Sequence, residues 1–455
     1  MEKLKRVQAD KPGSLLRLFQ DLLRKDVKET DLFPGIKSLY LSLDDLEKEA
    51  FFLDLMTKIE VSKETLLPLL ESPIVDNPDD PDWPLWVSKL RGRLYSPRLN
   101  LFRKIAHSPG GLKFLLDFRR DLLTIHRFSG IDLKPLDFDI VLLFELWFQE
   151  GFLFLEEISL DSAYRQIELI KNSDLVHPMV SIEEMGQRLG KDRRCFALYH
   201  RLIPYEPIIF IEVALSKGLT GNITDIIEKE TSEDKEEDKD TAIFYSINST
   251  QQGLTGLGLG KMLIGQVVDY LKKEKPGIRT FATLSPIPGF WEKYLKPVLE
   301  GKDQSFSLKQ ADIPNFFSKR QMARIMAKST SWEGASEGLN SALLSLLSKG
   351  DWAREEDLKR EMKQPLIRIA YHYIRKEKNP RGKPLNPVAN FHLGNGATVT
   401  QKNMKFLGNP TPRGLKDSCG LMVNYIYTST WLSQIRRSFR WLDKTGFHNL
   451  FSGRH

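Results

Sequence analysis

Two apolar, branched runs, Ala242–Ile247 and Thr280–Leu284, flank a cluster of glycines at 253, 256, 258 and 260 and a helical pattern from Lys261 to Leu271. Leu263, Ile264, Val267, Val268 and Leu271 recur at the spacing that places them on one face of a helix. Two more strand-like runs, Cys195–Leu202 and Ile208–Leu215, precede them and are separated by Pro204 and Pro207. Strands, a glycine turn, a helix and a further strand in that order predict a mixed α/β sheet. A ligand would sit where the strand ends and the helix starts.

The turn itself, Thr250 to Lys261, suits an anion. Small residues let backbone N–H groups come close to it, and the helix start adds partial positive charge. A nucleoside-triphosphate loop would need glycine at Thr255 and Ser or Thr at Met262, and neither is present. The dinucleotide pattern fails too, because its third glycine, Gly260, arrives one residue early. The plain alternative is a tight turn that only starts a helix.

The first 165 or so residues have a different texture. Leu15, Leu16, Phe19, Leu22 and Leu23 fall at helical spacing, and Val141 to Phe148 is compatible with another helix. Ser42 followed by Leu43, Asp44 and Asp45 reads as a helix start with Ser42 as the cap. Breakers such as Pro12-Gly13, Pro34-Gly35 and Pro109-Gly110-Gly111 cut this part into short helices. The expectation is an all-helical domain over 1–168 and a mixed α/β domain over 169–455. Within the second, residues 303–365 read as mostly helical, and a further helix spans Pro365 to Lys376. Strands are expected at Val388–Leu393 and Leu421–Tyr427, and a basic helix at Trp431–Leu442. The acidic, lysine-rich stretch Glu228 to Asp240 reads as a solvated loop.

Composition narrows the function classes. A net charge of +7 favours an acidic partner, but the basic residues form no long tail. A phosphorylated small molecule therefore fits better than nucleic acid. No apolar run is long enough to span a bilayer, so stable membrane insertion is not expected. Two cysteines, Cys195 and Cys419, suit a reducing compartment and do not make a zinc site. The start of the chain has no apolar signal region and its end is not a peroxisomal signal. The expected location is cytoplasmic, with mitochondria the second choice.

Four segments carry a resemblance. They are Ala242–Ile247 leading into Thr250–Leu254, then Thr283–Phe290, Leu385–Ala397 and Ser418–Tyr425. In sequence, order and approximate spacing they resemble signatures of malonyl-CoA decarboxylases, specifically from about residue 177 to 428 and more loosely before that. The resemblance implies a helical N-terminal domain and an acetyltransferase-like catalytic domain. It implies conversion of malonyl-CoA to acetyl-CoA and carbon dioxide with no metal and no prosthetic group; coenzyme A enters only as part of the substrate. It places the catalytic serine at Ser285, the catalytic histidine at His392 and an active-site tyrosine at Tyr427. The CoA loop becomes Thr255, Gly256, Leu257, Gly258, Leu259, Gly260 and Lys261, with Asn390 as a further substrate-binding residue. The loop is similar to the acyl-CoA loop of acetyltransferases, although Thr255 stands where those have Gln or Arg. Many decarboxylases of the family carry Glu where this chain has Gly258.

Decarboxylation leaves an enolate on the thioester oxygen, which must be stabilised before carbon takes up a proton. A histidine with an ordinary pKa near ~6.5 supplies protons near neutrality, so His392 is expected to give the proton or stabilise the enolate. Ser285 is expected to bind the carboxylate or thioester oxygen and orient His392. On residue chemistry alone, a serine before proline is a turn residue, a lone histidine in an apolar strand is a core residue, and Tyr427 is a strand aromatic. Two other functions remain open: a CoA-dependent acyltransferase acting on an amine, and a non-catalytic acyl-CoA-binding regulator. Self-association into a homo-oligomer through the helical domain is expected.

Overall fold

In the computed structural model, residues 10–24, 28–77, 79–190, 192–227, 238–302, 305–333 and 338–427 are described. The expected Trp431–Leu442 helix and most of the 228–240 run lie outside them. The chain divides into two compact units. The first comprises 1–156, 198–209 and 249–259; the second comprises 157–197, 210–248 and 260–455. The two units are interleaved along the chain. The ends of the expected strands return to the first unit, where Arg119 binds the carbonyl of Gly253 and Arg201 N–H binds that of Phe152.

The first unit is built from short helices, among them Lys11–Leu22, Glu29–Leu41, Asp45–Lys58, Pro97–His107, Gly111–Ser129 and Lys134–Trp147. Their apolar faces meet around Phe118, whose ring lies 5.0–6.4 Å from those of Phe19, Tyr40, Phe51, Phe52, Phe102 and Phe114. Rings at these separations bury large apolar areas and add edge-to-face attraction. One buried cation organises the same unit. Arg98 pairs with Asp139 at 2.7 Å and Glu60 at 2.5 Å, and donates to the carbonyls of Met56 and Ile59 at 2.6 and 3.0 Å. The cap of the third helix is Asp44 in a reciprocal pair with Glu47, not Ser42. Ser42 instead ends the preceding helix, its hydroxyl bonded to the Leu39 carbonyl, so it is not free to start the next one.

Among the described residues the strands are β1 (Leu153–Ile158), β2 (Arg193–His200), β3 (Ile209–Ser216), β4 (Thr241–Ser249), β5 (Thr280–Thr283), β6 (Ser285–Pro286), β7 (Met404–Lys405), β8 (Met422–Val423) and β9 (Ile426–Tyr427). Six form one sheet in the order β1-β2-β3-β4-β5-β9, and three form a second in the order β6-β8-β7. β4 and β5 run parallel, whereas β5–β9, β6–β8 and β7–β8 are antiparallel. The helical first part and mixed α/β second part agree with the sequence reading. β1 does not: it lies inside the stretch read as wholly helical. The helix at Leu259–Glu274 starts two residues before Lys261, and the helix read as starting at Pro365 begins at Glu356, with Pro365 in its interior.

The two sheets meet at a fork. Leu284 N–H still donates to Phe244 of β4, but the next residue, Ser285, already pairs with Val423 of β8. The returning strand makes the same switch between Val423 and Ile426. The peptides in between are held by Thr283. Its N–H binds the Tyr425 carbonyl at 2.9 Å, its hydroxyl accepts from Tyr425 N–H at 3.2 Å, and its carbonyl accepts from Asn424 at 2.7 Å.

Candidate active site

His392 does not lie on a strand. Pro387–Gly394 is a helix, started by Asn386, whose side chain accepts from Ala389 N–H at 2.9 Å, with Pro387 in its first turn. A cap followed by proline is a strong helix start, and it outweighs the branched apolar residues of this short run. The Asn386 amide also donates to the Pro288 carbonyl at 3.1 Å, which ties the helix start to the loop after Ser285. Ser285 and His392 are 107 residues apart in sequence, yet Ser285 Oγ and His392 Nε2 are 3.3 Å apart. On the other side of the ring, Nδ1 lies 2.7 Å from the Tyr427 hydroxyl. All three side chains are buried, at 6%, 5% and 3% exposure, so the chain of bonds is screened from bulk water.

The donors can be assigned along this chain. Burial holds the Tyr427 phenol well above its ordinary range, so it stays protonated and donates to Nδ1. The imidazole is also buried, and its pKa is pushed down to about 3, so it is neutral at physiological pH. A neutral ring that accepts at Nδ1 must carry its hydrogen on Nε2. Nε2–H therefore donates to Ser285 Oγ, and the serine hydroxyl passes its own hydrogen to Thr283 Oγ1 at 2.9 Å. The result is a directed relay, Tyr427 to His392 to Ser285 to Thr283. A freely titrating histidine near ~6.5 is not what the fold provides.

Tyr425 and Thr283 complete the surroundings. The Tyr425 ring stacks on the imidazole with centroids 4.7 Å apart and planes inclined by 25°. Two in-plane hydrogen bonds and one covered face leave His392 little freedom to rotate. Neither residue type signals a role by itself, although both lie inside the segments Thr283–Phe290 and Ser418–Tyr425. Asn390 is on the same helix as His392. It sits two positions before His392 on the helix, and residues at that spacing point to different sides.

The glycine turn was expected to hold CoA, and its local geometry suits an anion. A short turn at Gln252–Leu254 leads through Thr255, Gly256, Leu257 and Gly258 to the helix, so Leu259, Gly260 and Lys261 form the first helical turn. Gly256 and Gly258 have φ of 91° and 70°, a region that strains any residue with a Cβ. No atom lies within 4 Å of where a Cβ would stand on either, so that side of the turn is open. The positive φ at 258 accounts for glycine there in this chain. Among the described residues no group of His, Cys, Asp and Glu is arranged to hold a metal ion, and no helix is long and apolar enough to cross a membrane.

Comparison with known proteins follows the same lines. The model of the malonyl-CoA decarboxylase C-terminal domain matches residues 151–446, and that of the N-terminal domain matches residues 75–148. The chain is 37% identical over 344 residues to the mitochondrial malonyl-CoA decarboxylase of Anser anser anser, a match covering 74% of this chain and 65% of that protein. It is 35% identical over 345 residues to the one from Rattus norvegicus, covering 74% and 67%. The match thus spans about two thirds of the length of these relatives. Crystal structures of malonyl-CoA decarboxylases are similar over nearly the whole chain. That from Rhodopseudomonas palustris has a TM-score of 0.75 at 30% identity and covers 96% of this chain and 97% of its own. That from Agrobacterium vitis has a TM-score of 0.76 at 28% identity, covering 91% and 93%. On the family match and these relatives, this chain belongs to the malonyl-CoA decarboxylase family.

Proposed function

We propose that this protein converts malonyl-CoA to acetyl-CoA and carbon dioxide, with Ser285, His392 and Tyr427 as the reacting group. The observation that carries the reading is the buried, directed hydrogen-bond chain from Tyr427 through His392 to Ser285. The bond between the malonyl carboxylate carbon and the methylene carbon breaks, and its electron pair moves onto the thioester oxygen. Ser285 turns its hydroxyl from Thr283 to that oxygen, and the neutral Nε2–H of His392 polarises it from behind. His392 is fixed in advance behind the serine in a dry site, so only the Ser285 hydroxyl has to turn when charge appears. The methylene carbon then takes up one proton. Ser285 supplies it, the Nε2–H of His392 stabilises the alkoxide left behind, and a solvent proton restores the serine hydroxyl once carbon dioxide has gone. Exclusion of water also favours loss of the charged carboxylate as neutral carbon dioxide.

The glycine turn from Thr255 to Lys261 is the proposed seat of the CoA phosphates. Two features support this: the open side at Gly256 and Gly258, and the helix that starts at Leu259. Coenzyme A is part of the substrate, and the proposal requires no further cofactor. Self-association belongs to the same reading, through apolar side chains of the helical unit such as Leu46, Phe128 and Phe138, which are 78%, 77% and 66% exposed. Sedimentation measures it. The relatives from Anser anser anser and Rattus norvegicus are named as mitochondrial, which weakens the reading of a cytoplasmic location. The buried free thiols Cys195 and Cys419 suit a reducing compartment.

The test is malonyl-CoA alone with the purified full chain. Acetyl-CoA and carbon dioxide released in equal amounts, without an amine, support the decarboxylase. Acyl consumption only when an amine is added makes it a transferase, and binding without turnover makes it a regulator. Ser285→Ala and His392→Asn are expected to lower kcat at least about a hundredfold while the fold is kept, the usual scale for a lost donor in an oxyanion site.

A further inference from the structure

Arg119, on the Gly111–Ser129 helix, is 4% exposed and faces the glycine turn. One nitrogen of its guanidinium, Nη1, donates to two carbonyls of the turn, Gly253 at 2.6 Å and Thr255 at 3.1 Å. The rest of the fork is fixed from behind by Asp137, through Nε at 2.7 Å and Nη2 at 3.4 Å. Charge-assisted bonds in a buried place are the strong ones, and a planar fork holds its partners in one geometry. Two more contacts press the turn onto the same helix. A Cβ on Gly253 would lie 2.1 Å from the Leu116 carbonyl oxygen, so only glycine allows this approach. Lys113 reaches Gln251 Oε1 at 2.9 Å.

The consequence follows from the planarity of the peptide. In a trans peptide the C=O and N–H point opposite ways, and the described chain has no cis bond. When the Thr255 carbonyl is turned to Arg119, the Gly256 N–H is turned away from the helix. The Gly253 carbonyl does the same for Leu254 N–H, but that group is already used on the Gln251 carbonyl at 3.0 Å. Gly256 N–H is thus the group that the clamp sets outward, next to the open side of Gly256 and Gly258. We propose that Arg119 is a positioning residue for CoA binding: by fixing the carbonyls of Gly253 and Thr255, it presets the glycine turn with its amide edge toward the CoA phosphates. This rests on the reading of that turn as the CoA seat. A preset turn pays no ordering entropy when ligand arrives, so its loss weakens binding and leaves chemistry in place.

The experiment uses the full chain with Arg119→Met, Arg119→Lys and Gly258→Val, assayed with malonyl-CoA, and free CoA titrated by calorimetry. For Arg119→Met, KM and the CoA Kd are expected to rise together about tenfold, equivalent to about 1.4 kcal/mol. Its kcat is expected to fall less than about twofold. Arg119→Lys, whose compact ammonium lacks the fork, is expected in between. Gly258→Val strains the turn directly and is expected to raise KM and Kd at least as much. If Gly258→Val weakens CoA but Arg119→Met does not, the clamp is wrong and the CoA seat stands. If neither variant changes Kd, the turn is not the CoA seat and the clamp falls with it. A drop in kcat as large as the rise in KM makes Arg119 a general structural residue and overturns the proposal. Should Arg119→Met not fold, Arg119→Lys decides alone: a KM raised threefold or more supports the clamp, and a wild-type KM overturns it.

Discussion

Tyr427→Phe isolates the first link of the relay. The substitution removes one oxygen and keeps the ring, so the edge contacts to Phe244 at 6.3 Å and to His392 at 6.1 Å both survive. What is lost is the donor 2.7 Å from Nδ1. Nδ1 then becomes a buried acceptor with no partner, at a cost of about 1–3 kcal/mol. The ring can escape that cost by moving its hydrogen to Nδ1, which turns Nε2 into an acceptor and withdraws the donor from Ser285. The active tautomer then lies about 1–3 kcal/mol above the shifted one, so kcat is expected to fall roughly 5- to 150-fold. KM should stay within about twofold, because the phenol is proposed to act on the histidine and not on CoA. Steady-state release of acetyl-CoA from malonyl-CoA measures both constants. Nitrogen chemical shifts of the labelled histidine give the tautomer directly. Wild-type protein should show hydrogen on Nε2, and the variant a mixed or reversed population. A variant with wild-type kcat, or a wild-type ring protonated at Nδ1, would refute the donor assignment from Tyr427 to Thr283.

Three other outcomes follow from the same geometry. His392 is held neutral with a pKa of about 3, whereas an unfolded histidine titrates near ~6.5. On acidification the unfolded chain therefore binds a proton that the native site refuses, and stability falls by up to about 1.4 kcal/mol per pH unit from ~6.5 down toward 3. Urea unfolding of His392→Gln should lose about one proton of that slope, and an unchanged slope would show that His392 is charged in the native state. Gly253→Ala drives a Cβ to 2.1 Å from the Leu116 carbonyl, so the turn must shift. It should lose about 1–3 kcal/mol in denaturant and also raise KM; stability and KM both at wild-type values would show that the close approach is not maintained in solution. Arg98→Met strands Asp139, which burial already pushes toward a raised pKa, and frees two carbonyls. A loss of about 3–5 kcal/mol is expected by thermal or urea unfolding, and a loss below 1 kcal/mol would show that Asp139 protonates and relaxes at little cost.

What could be read in the sequence was local. The glycines at 253 to 260 announce a turn because few other residues tolerate its φ values, and the strands on either side carry dense branched and aromatic runs. β1 escaped because Leu153–Ile158 follows a helical run with only a brief turn between, and six residues, two of them glutamates, are too few to show a period. The helix carrying His392 escaped for a different reason. Its apolar residues looked like a strand, while the deciding signal, Asn386 before Pro387, stood just outside the run that was read. The resemblance named Ser285, His392 and Tyr427 but left open which atom donates to which. That direction depends on burial and on Thr283, which offers Ser285 an acceptor and so obliges His392 to donate. Arg119 was beyond local reading. Its carbonyl partners lie 134 and 136 residues away, and on its own helix it is one more arginine. The residues that act on substrate and those that hold them are therefore legible to different degrees. A motif can mark the first, because chemistry restricts the residue type. The second are marked by long-range geometry, where a carbonyl of any residue serves as the partner and leaves no trace in the sequence.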